Sequence, residues 1–219
     1  MTDPANAASG GPATVRGATS DPAVDALVTR ARAGDMTAFN TLVLRFQDGV
    51  YGLTLRMLGD PAAAEDATQD AFIRAWQRLE TYRGGSFRAW LFTIAANRAR
   101  DELRRHSRRP TRSLDEARDD PDHADIDPPD SAPTAHEVLE QSELRQALEA
   151  ALRALPDDWR EVVVLADVQG LDYVEVAAVT GVAVGTVKSR LSRARGRLRE
   201  VIRNSPELFE AAGRLTDRR

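Results

Sequence analysis

Apolar residues recur every three or four positions from Asp21 to about Ser107, the spacing of one face of a helix. The first stretch has a capping-type Asp21, Pro22 in the first turn and Gly34 to end it, which predicts a short helix. The next sets Phe39, Leu42, Val43, Phe46, Val50, Leu53 and Leu58 on one stripe. Asp60-Pro61 opens a third helix, and Tyr82-Arg83-Gly84-Gly85-Ser86 is a turn before a fourth, which runs from Phe87 to about His106. Nine of the twelve aromatic residues fall between Phe39 and Phe92. That concentration predicts one compact helical domain over residues 21–107.

The pattern then lapses and returns. Residues 1–20 are Ala, Gly, Pro, Ser and Thr with almost nothing to bury, and they read as a disordered tail. Residues 108–134 hold abundant Asp and Pro, no aromatic and no periodicity, and read as a flexible acidic linker. Over 135–204 the helical spacing resumes, first with Val138, Leu144, Ala147, Leu148, Ala151 and Leu155 before Pro156 stops the helix. The run Val162–Leu165 could be a strand in isolation, but the segments on both sides are helical. Residues 205–219 are read as a C-terminal tail. The expected fold is all-α: two small helical domains joined by the acidic linker, the second a helix-turn-helix.

Composition narrows the function. The 219-residue chain contains no cysteine, which excludes disulfide scaffolds, thiolate metal sites and cysteine nucleophiles. No apolar run approaches the roughly 18–20 residues of a membrane span, and the first residues lack the basic and apolar segments of a signal peptide. A cytoplasmic protein without membrane insertion is expected. The net charge of -4 conceals segregation. Seven arginines lie between Asn97 and Arg112, nine acids between Ser113 and Glu137, and seven bases between Gly181 and Arg203. Lys188 is the only lysine among the 30 basic residues, a bias that a GC-rich genome explains as readily as phosphate recognition.

Three segments carry candidate chemistry. Gly181 permits a tight turn between a short helix containing Ala177 and a second helix, whose Val187, Leu191, Ala194, Leu198 and Val201 form a buried stripe. Thr186, Lys188, Ser189, Arg190, Ser192 and Arg193 then point elsewhere, as in a helix-turn-helix set in a major groove. A helical hairpin with a solvated charged face is the plainer reading. In the second segment Trp90, Ile94, Asn97 and Asp101 share a face beside a basic run that starts at Arg98. Aromatic surface next to guanidinium groups suits unstacked bases, although a tryptophan on a helix is more often core. Asn97, at an otherwise apolar position, is what core packing leaves unexplained. In the third segment Glu65, Asp66, Gln69 and Asp70 cluster beside Phe72, Ile73 and Trp76. They read as acids favoured by a helix N-terminus, as metal ligands without a histidine to join them, or as an acidic and aromatic face for a partner protein.

Taken in order, residues 65–79, 82–105 and 155–199 resemble the bacterial RNA polymerase sigma factors, specifically the small two-domain extracytoplasmic-function group, with the likeness running over about residues 22–203. The resemblance implies a stress-responsive transcription factor with no catalytic residue, metal or cofactor. Its partners would be core RNA polymerase, promoter DNA both as duplex and as melted single strand, and an anti-sigma factor that clamps both domains. It assigns Asp66, Gln69, Asp70, Phe72 and Trp76 to the polymerase clamp helices. It assigns Tyr82, Arg83, Ser86, Phe87, Trp90, Ile94, Asn97 and Arg98 to opening the minus-ten element, and Thr186, Lys188, Ser189, Arg190, Ser192 and Arg193 to reading the minus-thirty-five element. The linker would thread toward the polymerase cleft. Ser192 stands where some relatives carry a larger residue. The alternative from another class is a stand-alone helix-turn-helix regulator whose first domain senses a signal; a metal hydrolase built on Glu65, Asp66 and Asp70 is the enzymatic one.

Overall fold

The computed structural model describes residues 21–108 and 146–204, so both expected tails, most of the expected linker, and Val138 and Leu144 lie outside the described residues. Helix α1 spans Pro22–Arg32, α2 Met36–Leu58, α3 Pro61–Gln77 and α4 Phe87–Arg108, with a 3-10 turn at Leu79–Thr81. An aspartate begins each of the first three helices. Asp21 accepts from Ala23 N, Asp35 from Ala38 N and Asp60 from Ala63 N, so each satisfies a first-turn N–H that the helix leaves orphaned. Helix α2 stops at Gly59, whose φ of 74° is left-handed and disfavours a residue with a β-carbon.

The first half packs its helices closely because α3 buries only alanines: Ala64, Ala67, Ala71 and Ala75 form its inner stripe. Small side chains let α2 and α4 approach that face, and the larger volumes come from the neighbours. Leu42, Val50, Leu53 and Met57 on α2 meet Leu91 and Phe92 on α4, all at most 2% exposed. Each such side chain removed from water contributes about 1.5–3 kcal/mol. Phe39, Leu42, Val50 and Leu53 of the expected α2 stripe are buried, and Val43, Phe46 and Leu58 are partly buried against the same core.

In the second half residues 146–153 are helical (α5), followed by α6 at Asp157–Val163, a π-turn at Val164–Val168, α7 at Tyr173–Thr180 and α8 at Val184–Arg203. The run Val162–Leu165 is helical and buried at every position, whereas the ends of this stretch, Asp157, Asp167 and Val168, are exposed. One expected core position moves: Leu148 is 43% exposed and Leu152 is buried instead, beside the expected Ala151 on α5 and Leu155 just after it. The described residues contain no strand, and none of their helices is long and apolar enough to cross a membrane.

The two halves share one core. Arg160, in α6, is buried yet fully used, donating to the carbonyls of Leu152, Arg153, Leu155 and, at 2.9 Å, Met57 in the last turn of α2. A guanidinium at a helix C-terminus satisfies an orphan carbonyl and opposes the negative end of the helix dipole. Glycine inside a helix costs about 1 kcal/mol relative to alanine, and α2 carries two, Gly49 and Gly52. Gln169, which follows the π-turn, lies against both: a β-carbon at Gly49 would stand 3.2 Å from its Oε1, and one at Gly52 would stand 3.3 Å from its Nε2.

Candidate polymerase and promoter interfaces

On α3 the alanine stripe fixes which residues face outward. Asp66 and Gln69 are exposed, as expected of a docking face. Ile73, one turn further, is 54% exposed and completes an outward row with them. Phe72 and Trp76 are partly buried, and Trp76 lies against Phe39 with ring centroids 4.9 Å apart. Asp70 accepts from Arg98 Nε at 2.7 Å and so ties α3 to α4. Ile73 stands beside the acidic cluster in the sequence but outside the residues the resemblance assigns to polymerase, although the spacing 66, 69, 73 is as helical as the buried 64, 67, 71, 75. Among the described residues no cluster of three or more metal-ligating side chains forms, so Glu65, Asp66 and Asp70 do not converge on a common point.

The turn and helix assigned to strand opening divide into a base layer and a surface. Tyr82, Phe87 and Ile94 are at most 8% exposed. Tyr82 meets Phe87 edge-on at 5.5 Å, Phe87 lies 5.6 Å from Phe46, and Trp90 lies 5.6 Å from Tyr82 and 5.4 Å from Phe87. Such tilted and edge-on pairs add about 0.5–1.5 kcal/mol beyond burial. The Tyr82 hydroxyl donates to Gly85 O at 2.7 Å and holds the turn, and burial first, then Asp25, pushes its pKa up. Ser86 receives the Ala89 N–H at 3.2 Å and caps α4. Trp90 remains half-buried, while Arg83 and Asn97 are exposed. The aromatics therefore back a surface on which Trp90, Arg83 and Asn97 are the accessible groups.

Charges on α4 are largely spent at home. Arg98 is 8% exposed and bonds Asp70 and Glu102; burial alone would lower its pKa, but those two hydrogen bonds raise it. Arg88 donates to Gln169 O. Arg100 donates to Asn97 Oδ1 at 2.9 Å and to Val179 O at 3.2 Å, and approaches Glu161 at 3.6 Å. Arg104 and Arg105 pair with Asp101 and Glu102.

The helix-turn-helix is built by local rules. Asp172 accepts from Val174 N and Glu175 N, both at 2.8 Å, while Glu175 accepts from Asp172 N at 3.0 Å, so the box starts α7 on both sides. Gly181, at φ 72°, ends it in the left-handed conformation. On α8, Val187, Leu191 and Ala194 are at most 1% exposed, with Leu198 and Val201 half-buried. Lys188, Ser189, Ser192 and Arg193 are exposed on the other side, and Thr186 is half-buried and accepts from Ser189 Oγ at 2.9 Å. Arg190 turns back to Asp158 at 3.1 Å. Arg195 clasps Asp167 with two bonds, which raise its pKa. Lys188 Nζ stands 6.0 Å over the ring of Tyr173, which with Val174 is exposed at the start of α7. Neither had been singled out in the sequence, although a tyrosine and a valine in the first turn after a cap are poor core candidates.

Two family models match this chain: sigma-70 region 2 over residues 42–109 and sigma-70 region 4 over 145–198. The extracytoplasmic-function sigma-E factor of Escherichia coli K12 is 38% identical over 178 residues, covering 77% of this chain and 88% of that protein. SigE of Mycolicibacterium smegmatis is 37% identical over 81% of this chain, which spans 66% of its length. Among solved structures, the sigma factor RpoE of Bartonella quintana, in complex with the anti-sigma factor NepR, matches with a TM-score of 0.57 at 27% identity, covering 76% of this chain and 98% of that one. Region 2 coincides with α2–α4 and region 4 with α5–α8, in the order and with the helix-turn-helix described above. The chain belongs to the extracytoplasmic-function group of RNA polymerase sigma factors, non-enzymatic proteins that bind core polymerase and promoter DNA to start transcription.

Proposed function

We propose a division of labour among three surfaces of this sigma factor, working in the cytoplasm where polymerase and promoter meet. The outward row Asp66, Gln69 and Ile73 on α3 docks on core polymerase. The surface of Arg83, Trp90 and Asn97, backed by Tyr82, Phe87 and Ile94, receives an unstacked base of the minus-ten element. The free face of α8, with Lys188, Ser189, Ser192 and Arg193, reads the minus-thirty-five duplex. An anti-sigma factor is the expected regulator, as for the relative solved with one.

The observation that carries the reading is α8 itself. A left-handed glycine turn and the stripe Val187, Leu191, Ala194 anchor one side, leaving on a rigid exposed face Arg193, which has no partner among the described residues, Ser192, and Ser189, whose hydroxyl donates to Thr186 O. Arginine and lysine reach guanine edges or phosphates, and serine reaches either. The part of the reading most in need of test is strand opening. Base stacking contributes about 1–3 kcal/mol and flipping costs a few, so the margin is thin. Asn97→Ala should impair open-complex formation on duplex promoters, spare core binding, and recover partly on a template with a pre-melted bubble. Normal transcription from both templates, or loss of the fold, makes Asn97 structural and sinks the pocket.

A further inference from the structure

We propose that the segment just ahead of α1, Val15 and Arg16, lies in the cleft between the two halves and bridges them. The proposal goes beyond the sigma-factor reading and stands whether or not that reading does.

A cleft of about 570 Å³ opens between α1, the start of α4 and the turn into α7, within the roughly 300–1,000 Å³ of ordinary binding pockets. Its apolar side is aromatic: Phe46 is partly buried, and Phe87 and Phe92 are at most 3% exposed. Its polar side is acidic. Arg45 neutralises Asp21 at 2.6 Å, which leaves Asp25, Asp172 and Glu175 lining the cleft against Arg88. Arg88 is itself committed to Gln169 O. Asp172 and Glu175 each spend one oxygen on the capping box of α7, and the other oxygen of each has no hydrogen bond among the described residues. Asp25 belongs to the first half and the other two to the second, so a cation in the cleft meets carboxylates of both.

The chain supplies such a cation at the rim. Asp21 lines the cleft and is also where residues 1–20 join the described chain. Arg16 is the only basic side chain in those residues, set against the single acid Asp3, and its neighbour Val15 is their only branched aliphatic one. The five steps from Arg16 to Asp21 reach at most about 17 Å, more than the width of a compact cleft of that volume. A tether this short holds the pair at a millimolar effective concentration, so a weak intrinsic affinity is enough. A guanidinium suits the place better than an ammonium, since it forks onto carboxylates and stacks on aromatic faces. The rest of the segment has nothing to bury; this one pair matches an aromatic floor and an acidic wall.

The test uses the full chain. Because it lacks cysteine, Thr14→Cys accepts a single nitroxide label, and the amide signals of Gly85 in the first half and Gly170 in the second report its approach. Both signals should lose half their intensity or more. A segment that only trails from Asp21 also passes near these amides, so Arg16→Glu in the labelled chain is the reference. Charge reversal should restore most of the intensity at both glycines. Asp172→Asn with Glu175→Gln, which keeps an acceptor at each position of the capping box, should do the same from the other side. Attenuation unchanged by either alteration, or attenuation at Gly85 with none at Gly170, overturns the proposal. Core polymerase binding, measured separately, bears on the sigma-factor reading and not on this one.

Discussion

Helices α4 and α8 carry similar runs of arginine, yet they hold those charges in opposite ways. On α4, Arg88, Arg98, Arg100, Arg104 and Arg105 all have partners within the chain. On α8, Arg190 and Arg195 are anchored to Asp158 and Asp167, while Arg193 is exposed with no partner among the described residues and Lys188 leans on an aromatic ring. On the proposed division of labour, α8 would meet duplex as it stands. Helix α4 would first have to give up contacts to meet DNA, which suits a surface proposed to act only after polymerase and promoter have come together. Counting basic residues therefore measures potential for phosphate binding; their partners decide how much of it is available.

The largest expected effect probes the spent charges. Arg98→Ala should lower stability in denaturant unfolding by about 1.5–3 kcal/mol, because it removes the buried guanidinium that bonds Asp70 and Glu102 and ties α3 to α4, with the loss moderated by the half-exposed Asp70 and by Arg105, which still pairs with Glu102. A variant as stable as the parent would place Arg98 with the available charges and erase the contrast. Next, Arg193→Ala should leave stability within about 0.5 kcal/mol but weaken minus-thirty-five duplex binding by about 1–3 kcal/mol if it contacts a base. A loss equal on all sequences would mark a phosphate contact instead. Smaller still, Gly196→Ala should stabilise the protein by up to about 1 kcal/mol, since α8 has open space there. Destabilisation in thermal melts would show that α8 has a neighbour at that point.

The smallest effect is on pH dependence. Burial pushes the Glu161 carboxyl above its ordinary 4.5, against the pull of Arg100 on α4 and Arg190 on α8, with neighbouring Asp158 pushing it further up. A group raised by folding binds its proton more tightly in the folded state. Its contribution is therefore complete below about 4.5 and is lost as pH rises through the raised value. In a pH series of unfolding midpoints, the wild type should lose stability relative to Glu161→Gln as pH climbs from the carboxylate range toward neutrality. Parallel curves would rule out this coupling.

Much of the fold could be read along the chain because its signals are local. Aspartate caps, Pro22, Gly59 and Gly181 mark helix ends within three or four residues, and the stripes of α2 and α8 follow a single period. The local signal weakens where burial is not one-sided, although the helical neighbours of Val162–Leu165 still gave its state correctly. The run Val162–Leu165 is enclosed all round and carries no helical period, and the inner face of α5 was displaced onto Leu152 from Leu148. At the candidate sites, the residue types were legible but their employment was not. Arg98 with Asp70 and Arg195 with Asp167 are pairs 28 residues apart, set by how two helices align, and no pattern within one helix reports that. The same holds for Gln169 against Gly49 and Gly52, which also border Phe92 and Arg56 of the first half.

The contact between Lys188 and Tyr173 has a chemical consequence. Lys188 is the only lysine in the chain, so apart from the N-terminus the molecule has a single primary amine, set on the face assigned to the groove. An acylating reagent would discharge the recognition helix at one point and leave every guanidinium intact. The rate of that reaction, with and without duplex, is a footprint of promoter occupancy written at one atom.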